Sequence, residues 1–91
     1  MQDMDIQNKQ KTNEKKFGNW EDLPYGRRYW YEVQGRLGWK ARYVKEVDME
    51  ENTICFYQEI YNSEGELVEI HRKYPVDTGH EKIDRKRENR L

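Results

Sequence analysis

Between positions 29 and 74, tyrosine, tryptophan, valine and isoleucine alternate with charged and polar residues, and 21 of those 46 positions are apolar against 10 of the other 45. Alternation of aromatic and β-branched residues with polar ones is the pattern of half-buried strands. The runs 28–34, 39–48, 53–62 and 66–74 are read as strands. Their linkers, Gly35-Arg36-Leu37-Gly38, Met49-Glu50-Glu51-Asn52 and Ser63-Glu64-Gly65, all have hairpin length. Gly65, third in its loop, suits a type I turn closed by a left-handed glycine. The simplest topology is a four-stranded antiparallel meander.

The flanks follow other patterns. Residues 1–16 carry seven charges and only three apolar side chains without helical period, so ordering them has little burial to offset its entropic cost. A disordered charged tail is expected there. Phe17, Trp20 and Leu23 recur every third residue before Pro24, which suggests one helical turn laid on the sheet. After Pro75, Thr78 and Glu81 stand three apart like a capping box, and a short helix from about Gly79 is expected. The fold class is thus mainly β (α+β). Its parts are a tail over 1–16, a single sheet domain over 17–80, and a charged helix or tail over 81–91.

Register turns the pattern into two faces. Placing Asn62 opposite Glu66 pairs Ile60 with Val68, Glu59 with Glu69 and Tyr57 with His71. Placing Val47 opposite Ile54 pairs Arg42 with Glu59 and Val44 with Tyr57. Val33 opposite Trp39 completes the first hairpin, pairing Trp30 with Arg42 and Glu32 with Lys40. One face then collects Tyr29, Tyr31, Val33, Trp39, Ala41, Tyr43, Val47, Ile54, Phe56, Ile60, Val68, Ile70 and Tyr74, and is the expected core. The other presents Trp30, Glu32, Lys40, Arg42, Val44, Cys55, Tyr57, Glu59, Tyr61, Leu67, Glu69, His71 and Lys73. A slip of one residue would exchange every side chain between the two.

Composition limits the function classes. Ninety-one residues allow one domain, and no apolar run is long enough to span a membrane. The first residues lack the apolar stretch of a signal peptide, so a cytoplasmic protein is expected. Cys55 is the only cysteine, which excludes an internal disulfide and a cysteine-based zinc site. Net charge is -1, yet 27–45 hold six basic residues and one acid, whereas 46–70 hold eight acids and no lysine or arginine. This dipole can pair hairpin with hairpin or steer a charged partner.

Chemistry-bearing motifs are sparse. The chain has no glycine-rich phosphate loop and no serine nucleophile elbow. Asp77 and His80 supply two ligands of a metal site without a third, so neither metal nor cofactor is expected. On the polar face, Arg42, Glu59 and Glu69 form a row, in which Arg42 relieves the repulsion of two opposed carboxylates. His71 beside Tyr57 has the make-up of an acid–base pair. Trp30, Lys40, Arg42, Tyr57, Tyr61 and His71 combine cations with stacking surfaces, a combination suited to single-stranded RNA or a protein partner.

The stretch from Gly38-Trp39-Lys40-Ala41-Arg42-Tyr43 to Glu69-Ile70-His71-Arg72-Lys73-Tyr74-Pro75-Val76-Asp77-Thr78-Gly79-His80 resembles a small prokaryotic domain family of unknown function. Tyr57, Tyr61, Gly65, Leu67, Pro75 and His80 are also similar to spaced positions of TumE-like toxins, a resemblance that implies a ribonuclease of a toxin–antitoxin pair. Val76 and Asp77 stand where those toxins cluster histidines after the proline.

Three readings result. The first is a non-enzymatic binding module that engages a protein or RNA partner through the polar aromatic face. The second is a metal-independent ribonuclease in which Arg42 holds phosphate while His71, Tyr57, Glu59 or Glu69 moves protons. The third is a structural homodimer centred on Val44, Tyr57, Tyr61 and Leu67.

Overall fold

The structure, a computed structural model, describes residues 2–83. The alternating segment forms strands within two residues of the expected limits, and both flanks add further elements. The elements are helix α1 (Gln2–Phe17) and strands β1 (Asn19–Leu23), β2 (Gly26–Gln34), β3 (Lys40–Asp48), β4 (Thr53–Tyr61), β5 (Leu67–Tyr74) and β6 (Gly79–Lys82). The strands make one antiparallel sheet in sequence order. The sheet is therefore a meander as expected, but with six strands instead of four, and no C-terminal helix occurs among the described residues.

Each added element has a physical reason. Residues 1–16 were expected to be a disordered tail because their apolar residues lack a helical period, yet 2–17 form α1. Gln, Lys and Glu favour helix, Lys15 and Lys16 oppose the negative end of the dipole, and Gly18 N–H closes on Glu14 O at 2.9 Å. The inward positions, Ile6, Gln10, Asn13 and Phe17, are spaced four, three and four apart. Two are amides, so hydropathy does not reveal the stripe. Asn13 is buried because it is satisfied: its Nδ2 donates to Glu51 at 3.2 Å and its Oδ1 accepts from Lys45 at 3.0 Å.

The expected helical turn at Phe17, Trp20 and Leu23 is instead β1. Its residues pair with β2, setting Glu21 against Arg28 and Asp22 against Arg27, and ion pairs span both positions, at 2.8 Å for the second. Gly26 is required beside this turn, since a Cβ there would lie 1.8 Å from Val47 O. The expected helix from Gly79 is β6. Asp77 Oδ1 accepts Gly79 N–H at 2.9 Å, and Thr78 donates to Glu81 at 3.3 Å, so the capping-box pair closes a turn into a strand. Residues 84–91, the rest of the expected C-terminal helix or tail, lie outside the described residues.

Register decides the faces. The β2–β3 hairpin pairs Val33 with Ala41, Glu32 with Arg42 and Trp30 with Val44, two residues from the expected pairing. A two-residue shift keeps every side chain on its face. Between β3 and β4, Ala41–Ile60, Arg42–Glu59 and Val44–Tyr57 pair as expected, whereas Val47 faces Thr53 across a bulge that leaves Ile54 40% exposed. Between β4 and β5, the Asn62–Glu66 turn is as expected, with Gly65 at φ +81°. Tyr61 pairs with Leu67, but Ile60 then pairs with Glu69, leaving Val68 bulged. That extra residue swaps the faces of β5 from Glu69 to Arg72, and a second irregularity after Arg72 returns Tyr74 to its expected side opposite Phe56. Glu69 and His71 leave the polar face, and Ile70 enters it.

The core is small. Phe17, Tyr29 and Val47 are its buried members, with Tyr31 and Phe56 against them. Helix α1 covers β1 and β2 on this side of the sheet. No described element covers the other side.

Candidate binding face

Strand alternation delivers four cross-strand rows to the uncovered face. They are Arg28–Glu46–Cys55, Trp30–Val44–Tyr57–Arg72, Glu32–Arg42–Glu59–Ile70 and Gln34–Lys40–Tyr61–Leu67. Val44 lies between Trp30 and Tyr57 and is only 2% exposed, which makes it the floor. Trp30, Tyr57 and Tyr61 surround it, and with Arg28, Arg42, Glu21 and Glu59 they bound a groove of about 400 Å³. Tyr57 also borders a second hollow of about 410 Å³, over Cys55 and Val76.

One carboxylate organises one end of this groove. Glu46 is buried and accepts from Tyr25 OH at 2.6 Å, Arg28 Nε at 3.1 Å and Tyr57 OH at 3.4 Å. Burial alone would raise its pKa, but these hydrogen bonds and the Arg28 charge outweigh burial and hold the carboxyl below its ordinary range. Arg28 also pairs with Glu21. The Tyr57 phenol is pushed up to about 12 by burial and by the charges of Glu46 and Glu59. At neutral pH it is a hydrogen-bond donor and not a base.

The other end is organised by Glu32. Arg42 donates to it from Nε at 2.9 Å and from Nη2 at 2.6 Å, and Lys40 Nζ lies 3.3 Å away. These contacts, the Arg42 hydrogen bonds foremost, lower the Glu32 pKa against the effect of burial. The Arg42 guanidinium sits 5.3 Å from the centre of the Tyr61 ring, and Tyr61 OH donates to Glu59 at 2.9 Å. In the expected Arg42–Glu59–Glu69 row, Arg42 and Glu59 remain opposite each other, the Val68 bulge carries Glu69 away, and the β2–β3 register supplies Glu32 as the carboxylate that Arg42 binds.

The structure therefore brings Trp30, Lys40, Arg42, Tyr57, Glu59 and Tyr61 to one face, and places His71 and Glu69 on the other. His71 faces Gln58 and His80. Its Nε2 is 2.6 Å from Asp77, and its Nδ1 is buried without a partner. His80 Nδ1 is 2.7 Å from Glu69, and the two imidazole centroids are 4.4 Å apart. This cluster ties the edge strand β6 to the sheet. Among the described residues, no three His, Cys, Asp or Glu side chains are grouped to hold a metal ion. Burial raises the pKa of Cys55, which disfavours a reactive thiolate.

Sequence reasoning missed Glu46 and Tyr25. Glu46 could have been found, since Arg42, Val44 and Glu46 alternate on one strand. Tyr25 sits in the β1–β2 turn, where no period announces its direction.

Comparison with protein-family models, curated proteins and solved structures gives no match.

Proposed function

We propose that the protein is a non-enzymatic binding module that holds a protein partner in the aromatic groove centred on Val44. The observation that carries this reading is charge balance. The groove is bordered by two arginines and two glutamates, and both arginines are already paired within the chain, Arg28 with Glu21 and Glu46 and Arg42 with Glu32. Capture of a phosphate backbone relies on unpaired cations that displace counterions. A neutralised rim around tryptophan and tyrosine matches the aromatic and arginine anchors favoured at protein interfaces. Of the proton carriers that a ribonuclease reading could use with Arg42, His71 and Glu69 stand on the other side of the sheet, and Tyr57, whose phenol is pushed up to about 12, stays protonated at neutral pH.

The test uses the tagged full chain expressed in its source cells. The unaltered chain retains a protein partner, and Trp30→Ala and Arg42→Ala each reduce its recovery about tenfold while the circular dichroism spectrum is unchanged. Undiminished recovery with both variants, or recovery of RNA alone, overturns the reading.

A further inference from the structure

The cations of the groove face are already engaged within the chain. Arg28 is held by Glu21 and Glu46, Lys40 and Arg42 share Glu32, and Arg72, opposite Tyr57 on β5, pairs with Glu81. Glu59 lines the same groove and takes part in no ion pair among the described residues. Its Oε1 accepts from Tyr61 OH at 2.9 Å, and its Oε2 takes no hydrogen bond among the described residues. One carboxylate oxygen is thus left for a donor from outside.

The aromatic walls divide in the same way. The Tyr61 ring already has Arg42 at 5.3 Å and Lys40 Nζ at 5.6 Å from its centre. The rings of Trp30 and Tyr57, which border the groove over the buried Val44, have no cation over them among the described residues. The charge around them is negative. Burial raises the pKa of both tyrosines, and beyond burial the carboxylates outweigh the arginines: Glu46 and Glu59 over Arg28 at Tyr57, and Glu59 over Arg42 at Tyr61.

We propose that the groove takes a lysine side chain of its protein partner, whose stem lies between Trp30 and Tyr57 over Val44 and whose ammonium donates to Glu59 Oε2. A cation beside an aromatic face is attracted by the ring as well as by the carboxylate. Lysine suits this site better than arginine, because an ammonium is a point charge that needs one acceptor oxygen, whereas a guanidinium pairs best with both oxygens of a carboxylate. The inference rests on the groove holding a protein, and it adds which side chain is held.

Amide titration of the labelled full chain at low salt tests this with Nα-acetyl-lysine N-methylamide and its norleucine counterpart, which lacks only the ammonium. The lysine probe gives saturable shifts at Trp30, Tyr57 and Glu59 and binds at least about fivefold more tightly than the norleucine probe. Glu59→Gln keeps the acceptor for Tyr61 OH and removes the charge, so it brings the two probes within about twofold of each other and cuts partner recovery about tenfold. Equal binding of the two probes to the unaltered chain overturns the proposal, as does a lysine preference that survives Glu59→Gln, or tighter binding of the corresponding arginine probe. A protein partner lost with Trp30→Ala but kept with Glu59→Gln overturns the lysine and leaves the protein-binding groove standing. A chain that retains no protein partner overturns both.

Discussion

Tyr57 and His71 face opposite sides of the sheet, although the strands carrying them are hydrogen-bonded neighbours. The cause is one residue. Tyr61 and Leu67 are in the register set by the Asn62–Glu66 turn, and Val68 is then inserted without a partner, so every side chain from Glu69 to Arg72 changes face. His71→Ala is accordingly expected to leave partner binding in the groove within about twofold of the unaltered protein. It should loosen β6, which hydrogen-exchange rates of the 79–82 amides will report. Loss of groove binding without loss of β6 protection would contradict this arrangement.

Glu46 joins the β1–β2 turn to β3 and β4 by accepting from Tyr25, Arg28 and Tyr57. Glu46→Gln keeps the size of the side chain but removes the charge from a buried site, so it should cost about 1–3 kcal/mol in urea denaturation. A cost near zero would show that these bonds are no stronger than those to water.

The same carboxylate sets an acid limit. The folded-state pKa of Glu46 and that of Glu32 are lowered from 4.5. A lowered value means that the folded state holds the proton less tightly than the unfolded chain, so the stabilisation is complete above 4.5 and is lost as pH falls through the folded-state values. The melting temperature should therefore fall as pH drops below about 4.5. In Glu46→Gln this fall should be shallower. An identical acid profile in the two proteins would assign the transition to other carboxylates.

Helix α1 is attached by one buried apolar side chain and a polar network. Phe17→Ala should destabilise the protein by about 3–5 kcal/mol, with helical ellipticity melting before the sheet. If helix and sheet still melt together with little change, Phe17 is not the anchor.

Single-stranded RNA offers a contrast. With the groove arginines paired internally, titration of the labelled chain at physiological salt, in chelator, should give no saturable amide shifts at Trp30, Arg42 or Tyr57 and should leave the RNA intact. Cleavage, or shifts confined to those residues, would favour the nucleic-acid readings.

The sheet was legible because aromatic and β-branched residues alternate with polar ones from Arg28 onward, and period two survives short loops. The polar face was legible on β2 to β4 for the same reason, even where the first hairpin was misaligned, because an error of two residues preserves the faces. His71 and Glu69 were misplaced because nothing in the local sequence around Val68 distinguishes a bulge from regular pairing. Helix α1 was hidden because its inward positions include Gln10 and Asn13, whose burial depends on Lys45 and Glu51 more than thirty residues away. β1 was obscured because Phe17, Trp20 and Leu23 mimic a helical period, while cross-strand pairing of Glu21 and Asp22 with Arg28 and Arg27 decides its conformation.

Whether the aromatic groove receives a protein is tested most directly by a photo-crosslinking amino acid replacing Tyr61 in the full chain, expressed in its source cells and irradiated. The account predicts a discrete protein adduct, absent when Arg42→Ala is added and absent when the crosslinker instead replaces Met49, an exposed residue in the β3–β4 turn. An adduct to RNA, or equal protein adducts from both positions, would contradict it.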